Sequence, residues 1–155
     1  MRRTCYLGLS LLLIVALGAP AFSQAPAPAA APQPQAKTPA EYNAYKALYD
    51  EQNPAKKAEL GEKFMVDYKD SELIGQTYSM LIGAYSRAQN WAKVMEAADR
   101  AAAYPKADNK LKIFGYSNAM VAAQQGNNYD KIIEYGEKIL TLDANDLNAL
   151  YVVAT

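Results

Sequence analysis

The sequence predicts an all-α fold, an α-solenoid of antiparallel helix hairpins with about three repeats and the start of a fourth. A motif of small, acidic, basic and apolar residues occurs three times, at a separation of roughly 37 to 38 residues, a period typical of helical repeats. Apolar residues recur with helical spacing and no strand-like alternation persists. The copies are Gly61-Glu62-Lys63-Phe64, Ala98-Asp99-Arg100-Ala101 and Gly136-Glu137-Lys138-Ile139.

The members of this motif have different expected roles. The small residues Gly61, Ala98 and Gly136 are predicted to let paired helices touch, because they add little bulk at a helix crossing. The acidic and basic residues beside them are predicted to be solvated surface charges, since isolated exposed charges contribute little to stability.

Residues 1–23 have the pattern of a secretory signal peptide. Two arginines precede an apolar run over residues 7–17, and the small residues that follow place cleavage after Ala21 or Ser23. The apolar run is short for a membrane-spanning helix, which needs about 20 residues. We therefore expect export without membrane insertion after cleavage, with an uncleaved anchor as the alternative.

Residues 24–37 consist almost entirely of Ala, Pro and Gln. The prolines block helix hydrogen bonding, and no large side chain is present to build a core. This composition predicts a disordered or polyproline-like tether. Cys5 precedes the apolar run and is removed with it, so the mature chain has no thiol for a disulfide, for catalysis or for a metal site.

Capping signals open the folded part of the chain. Thr38 is expected to cap the first helix, with Pro39 at its first position and Glu41 completing a capping box. Asn53 and Pro54 repeat this arrangement for the second helix. The expected apolar faces are Tyr42, Tyr45, Leu48 and Tyr49 on the first helix and Leu60, Phe64 and Tyr68 on the second.

The second and third helix pairs follow the same pattern. Gln89-Asn90 and Gly126-Asn127-Asn128 mark the turn inside each pair, and Tyr104-Pro105 ends the fourth helix. The predicted apolar stripes of the second pair are Ile74, Tyr78, Leu81, Ile82 and Tyr85, then Trp91, Val94, Ala97, Ala98 and Ala101. Those of the third pair are Phe114, Ala119, Ala122 and Ala123, then Ile132, Gly136, Ile139 and Leu140.

A seventh helix is predicted after residues 142–146. Repeat arrays normally end in a helix with a polar outer face, whereas this helix presents an apolar face. We therefore expect residues 38–155 to be a repeat array truncated at its C-terminus, the alternative being a short protein whose open end pairs with another copy. The predicted apolar face consists of Leu147, Leu150, Tyr151, Val153 and Ala154.

In these residues and their spacing, the chain resembles the tetratricopeptide repeat (TPR) family over about residues 38–155. The period is longer than the family's usual length of about 34 residues, so the extra residues are expected in the turns. The resemblance rests in the second repeat on Tyr78, Leu81, Ile82, Tyr85, Val94, Ala98 and Ala101, and in the third on Ala119, Gly126, Ile132, Gly136 and Ile139.

The resemblance implies that partner peptides bind along a groove lined by the first helix of each repeat. Tyrosine and arginine are common at interfaces, because they combine contact area with polar tips; for Tyr42 and Tyr49 the alternative is packing against the neighbouring helix. The specialised clamp for a C-terminal carboxylate is not matched, since Ser79 and Gly83 supply no suitable donors. The positions carried over are Tyr42, Lys46 and Tyr49, then Ser79, Gly83, Ser86 and Arg87, then Tyr116, Met120 and Gln124.

Composition argues against several other classes of function. The chain has 16 basic and 16 acidic residues and no histidine. Balanced charge does not favour nucleic-acid binding, which needs clustered positive charge. Without histidine there is no imidazole base or ligand, and neither a Gly-rich phosphate loop nor a complete calcium loop occurs. We expect no enzymatic activity, no cofactor and no metal.

The sequence thus predicts an exported bacterial scaffold for protein–protein interaction, in the periplasm or, as the alternative, outside the cell. The partner protein or peptide is not identified by the sequence. A second hypothesis is that the array is the N-terminal interaction module of a longer envelope enzyme or assembly factor whose active part lies beyond residue 155. A third is self-association through residues 147–154.

Overall fold

The structure, a computed structural model, describes residues 33–154. Within this range the chain forms α-helices joined by turns and contains no strand, so the predicted all-α helical repeat architecture is confirmed. The predicted signal peptide and most of the predicted tether lie outside the described residues. The helices are α1 (Pro39–Asp50), α2 (Pro54–Asp67), α3 (Ile74–Arg87), α4 (Trp91–Ala103), α5 (Asn109–Gln125), α6 (Tyr129–Leu142) and α7 (Leu147–Ala154).

Side-chain caps explain where most of these helices begin. The predicted caps Thr38 and Asn53 are confirmed: their side-chain oxygens accept hydrogen bonds from the N–H groups of Glu41 and Lys56, each at 3.1 Å. Such bonds satisfy backbone donors that have no partner inside the helix. The same role is played by Asn90 for α4, Asp108 for α5, Asn128 for α6 and Asp146 for α7.

Each helix packs against the next one along the chain, and α3 also contacts α5. The predicted apolar stripes of α2, α3, α4 and α6 are largely buried, because these helices have neighbours on both sides. One core cluster extends from α2 to α6, and a second joins Leu48, Phe64, Leu73 and Ile74 at the N-terminal end.

The small residues of the repeated motif lie at close helix contacts, but between successive pairs and not within a pair as predicted. A Cβ atom added to Gly61 would lie 3.3 Å from Leu81, and one added to Gly136 would lie 2.9 Å from Val153. Ala98 is fully buried and faces Gly115. In each case the contact is with the first helix of the following pair, so the small residues join successive repeats.

The terminal helices differ from the prediction. Of the predicted apolar face of α1 only Leu48 is buried, while Tyr42 and Tyr49 are exposed. On α7 the buried residue is Ala149, while Leu147 and Tyr151 lie on the exposed side. The physical reason is that helical spacing marks an apolar face, whereas burial also requires a neighbouring helix. Both terminal helices have fewer neighbours among the described residues.

Two turns contain a non-glycine residue in the left-handed backbone region. Gln89 has a φ of 54° and Asn127 a φ of 52°. In each turn the following N–H donates back to the carbonyl five residues earlier, which is the Schellman arrangement at a helix C-terminus. These bonds are Asn90 N to Tyr85 O and Asn128 N to Ala123 O, both 2.9 Å.

Gln89→Gly is expected to raise the free energy of unfolding by up to about 1 kcal/mol. A residue with a Cβ atom costs roughly 1–2 kcal/mol in the left-handed region, and glycine removes this cost while losing more backbone entropy on folding. Urea unfolding followed by helical circular dichroism measures the change, with Gln89→Ala as the control that should bring no gain. A lower stability for Gln89→Gly would contradict this turn geometry.

Candidate functional site

The register between α3 and α5 decides which residues share a face. Arg100 lies over the Tyr78 ring at 5.9 Å, and Lys138 lies over the Tyr116 ring at 5.4 Å. The left-handed residues of the two following turns, Gln89 and Asn127, are separated by the same 38 residues as Tyr78 and Tyr116. Equivalent positions on α3 and α5 are therefore 38 residues apart.

The positions predicted on α1 and α3 fall on corresponding exposed or half-buried surfaces. Tyr42, Lys46 and Tyr49 are exposed, and Lys46 forms an ion pair with Asp50 one turn later. On α3 the residues Ser79 and Ser86 are half-buried and Arg87 is exposed. A Cβ atom added to Gly83 would meet no atom within 4 Å, so the surface there is open.

On α5 the structure separates the three predicted positions. Gln124 is exposed, but Met120 is only 6% exposed and lies in the core. Tyr116 is half-buried against α6, with its ring centroid 5.9 Å from that of Tyr135. Met120 and Tyr116 therefore offer little area to a partner on this side of α5.

The exposed apolar residues of α5 are Phe114 and Val121, at 40% and 47% exposure. Val121 lies 38 residues after Gly83 and is therefore its equivalent on α5. Phe114 belongs to the predicted apolar stripe of α5, so its exposure differs from the prediction. The predicted positions on α5 follow those on α3 by 37 residues, one fewer than the spacing of 38 in the structure; the pairs are Ser79 with Tyr116, Gly83 with Met120 and Arg87 with Gln124. Gln89 and Asn127, in the turns that follow α3 and α5, are 38 residues apart. An alignment of the two helices on these turn residues would have predicted the exposed positions correctly.

These corresponding positions on the first helix of each pair define the odd-helix face. It combines aromatic and aliphatic side chains with serine and glutamine, and its cations are Lys46 and Arg87. Such a surface suits a polypeptide, because aromatic side chains provide contact area while hydroxyl and amide groups can pair with backbone polar groups. The face consists of Tyr42, Lys46, Tyr49, Ser79, Gly83, Ser86, Arg87, Phe114, Val121, Gln124 and Gln125.

Ion pairs link the repeated motif from one even-numbered helix to the next. Arg100 on α4 binds both carboxylate oxygens of Glu62 on α2, at 2.8 and 2.9 Å, and Tyr85 donates to the same carboxylate at 3.0 Å. Lys138 on α6 lies 3.6 Å from Asp99 on α4. The acidic members of the first and second motif copies thus pair with the basic member of the following copy. The prediction of solvated surface charges is wrong for Glu62, Arg100 and Lys138, which are half-buried, whereas Lys63, Asp99 and Glu137 are exposed as predicted.

The pKa shifts show that these contacts favour the charged form of Glu62 and the neutral form of the two tyrosines. Burial acts to raise the pKa of Glu62, but the hydrogen bonds and charge of Arg100 outweigh it and hold that pKa below its ordinary value. Burial and the bond to Glu62 raise the pKa of Tyr85 to about 12. Burial and the Asp99 charge raise the pKa of Tyr135 well above its ordinary value. Both tyrosines are therefore neutral donors at physiological pH.

A buried carboxylate lies at the N-terminal end of the array. Glu41 accepts hydrogen bonds from the backbone N–H of Lys37 at 2.7 Å and from the hydroxyl of Ser71. The Ser71 hydroxyl oxygen in turn accepts from Leu73 N at 3.0 Å. This network ties the end of the predicted tether and α1 to the turn before α3. Its polar atoms are used internally, which indicates a structural role.

An open cavity of about 650 Å³ lies beside this network, lined mainly by apolar residues such as Pro34, Ala36, Tyr45 and Leu73. No group of His, Cys, Asp and Glu within residues 33–154 could hold a metal ion. Among the helices of the part of the chain that the structure describes, none is long and apolar enough to cross a membrane.

Comparison with known proteins found no similarity: no protein-family model, curated protein or solved structure matches this chain.

Proposed function

We propose that this protein is an exported TPR-like scaffold, acting in the bacterial periplasm, that binds an extended segment of a partner protein across the odd-helix face. The observation that carries the proposal is the exposure of aromatic and apolar side chains on α1 and α5, which are the first helices of their pairs. Tyr49 and Val121 are exposed, although residues one or two places away are buried. The signal-peptide pattern of residues 1–23 supports export.

The chemistry of the face indicates the kind of segment that would bind. Apolar side chains of the ligand would pack on Tyr42, Tyr49, Phe114 and Val121, and its backbone would meet serine and glutamine groups. The open surface at Gly83 allows a backbone to approach α3 closely. Because Ser79 and Gly83 provide no cationic pair, a free C-terminal carboxylate is not the expected anchor.

The test selects random peptides displayed on phage against the chain recovered from the periplasm, whose intact mass should correspond to a start at residue 22 or 24. Tyr49→Ser and Val121→Ser are each expected to weaken binding of the selected peptides by about tenfold or more, the effect of losing an interface anchor. Isothermal titration calorimetry measures the dissociation constants.

A matched control lies on an even-numbered helix. Val66→Ser removes an exposed valine of α2. It should change affinity by less than about twofold, because Val66 does not lie on the odd-helix face. Failure to select any peptide, or peptides that bind equally well to both odd-helix variants, would rule out this function.

A further inference from the structure

Of the three acidic residues in the repeated motif, one is left without an ion pair. Glu62 and Asp99 each receive a basic residue from the next even-numbered helix. Glu137 occupies the same motif position on α6, is exposed, and has no ion pair or hydrogen bond within residues 33–154. The carboxylate of Glu137 therefore lies at the position where, in the two preceding repeats, the acidic residue pairs with an arginine or lysine side chain.

The apolar residues beside this position follow the same progression. Ala58, Met95 and Ile133 stand three residues before the small residue of each motif copy. Ala58 is 5% exposed and Met95 is half-buried, because the following repeat covers them, whereas Ile133 is 44% exposed. Trp91 is likewise half-buried and packed, while its equivalent Tyr129 is exposed.

Helix α7 extends this uncovered surface. Leu147, Leu150 and Tyr151 are spaced by three and four residues, as on one side of a helix, and all three are exposed. Tyr151, Tyr129 and Ile133 line one open cavity of about 480 Å³ between α6 and α7. We call the combined surface the end face; it consists of Tyr129, Ile133, Glu137, Leu147, Leu150 and Tyr151.

We propose that the end face binds an amphipathic helix that places a lysine or arginine against Glu137. Two observations determine this occupant. The apolar residues require a partner with an apolar stripe, and both preceding repeats cover equivalent residues with helices. At both preceding positions the acidic residue is matched by a basic side chain, at 2.8 Å for Arg100 and 3.6 Å for Lys138. The end face adjoins the odd-helix face at Gln124, which lines the same cavity as Tyr129 and Tyr151, but this proposal does not require that a peptide binds the odd-helix face.

The probe is a fluorescent synthetic peptide with the sequence of α6, because α6 covers the equivalent surface of the preceding repeat. Its Lys138 should take the place opposite Glu137. Fluorescence anisotropy is expected to show saturable binding to the chain that begins at residue 24. Glu137→Lys in the protein should weaken binding by at least about tenfold, since a charge-assisted contact is replaced by repulsion. The same protein variant should bind a Lys138→Glu peptide more tightly than it binds the wild-type peptide.

The controls distinguish loss of the specific contact from unfolding of the variant and from non-specific hydrophobic binding of the peptide. Glu137 is exposed and unpaired, so Glu137→Lys should leave the urea midpoint unchanged. Ile133→Ser should weaken peptide binding, whereas Val66→Ser, which removes an exposed valine of α2, should not. Absence of saturable binding, or binding unaffected by Glu137→Lys, would overturn the proposal. Light scattering that shows concentration-dependent dimers abolished by Glu137→Lys would also overturn it, because the occupant would then be a second copy.

Discussion

Ala98→Leu is expected to lower the free energy of unfolding by about 1–3 kcal/mol, the usual cost of forcing extra carbons into a packed contact. Ala98 is fully buried. A Cβ atom built on Gly115 would lie 3.4 Å from both the Cα and the carbonyl oxygen of Ala98. The backbones of α4 and α5 therefore meet with almost no side chain between them. Leucine at this position can be accommodated only if the two helices move apart.

Ala92→Leu is the matched control on the same helix, because Ala92 is exposed. Its effect should stay within about 0.5 kcal/mol, as is usual for surface substitutions. Alanine and leucine both favour helix, so a difference between the variants reports packing. Urea unfolding followed by circular dichroism gives the two midpoints. Equal midpoints would show that Ala98 does not lie at the contact between the second and third repeats.

The inner helices could be predicted from sequence because their apolar spacing and their burial have the same cause. Phe64, Leu81 and Val94 lie on helices with neighbours on both sides, so the apolar face is also the buried face. At the ends this link fails. Tyr49 and Leu147 have the correct helical spacing yet are exposed, because spacing carries no information about whether a neighbouring helix is present.

The candidate site was only partly accessible to sequence reasoning, for two different reasons. On α5 a register error of one residue replaces the exposed Val121 by the buried Met120. The error is easily made because an alanine-rich helix has few large apolar residues that define its register. The pairing of Glu62 with Arg100 spans 38 residues, whereas sequence rules for ion pairs concern residues three or four apart on one helix. Such a contact becomes visible only once the stacking of the repeats is known.

Glu41→Ala is expected to lower the free energy of unfolding at neutral pH by about 2 kcal/mol. Glu41 is only 3% exposed. The substitution removes the acceptor for Lys37 N–H and for the Ser71 hydroxyl, and a buried donor left without a partner costs about 1–3 kcal/mol. Glu59→Ala is the control, since Glu59 is an exposed glutamate on α2, and its effect should stay within about 0.5 kcal/mol.

The effect of Glu41→Ala should also depend on pH, and the direction follows from the pKa. The hydrogen bond from Ser71, with those from the backbone N–H groups of Lys37 and Thr38, outweighs burial and holds the pKa of Glu41 below its ordinary value of 4.5. A lowered folded-state pKa means that the ionised carboxylate stabilises the fold fully above pH 4.5 and less as the pH falls through the folded-state value. Urea midpoints of wild type and Glu41→Ala should therefore converge in acid. If the difference between the two urea midpoints stays constant from neutral pH into acid, Glu41 stabilises the fold through its volume and not through its charge. In that case the hydrogen bonds with Ser71 and Lys37 do not hold α1 to the turn before α3.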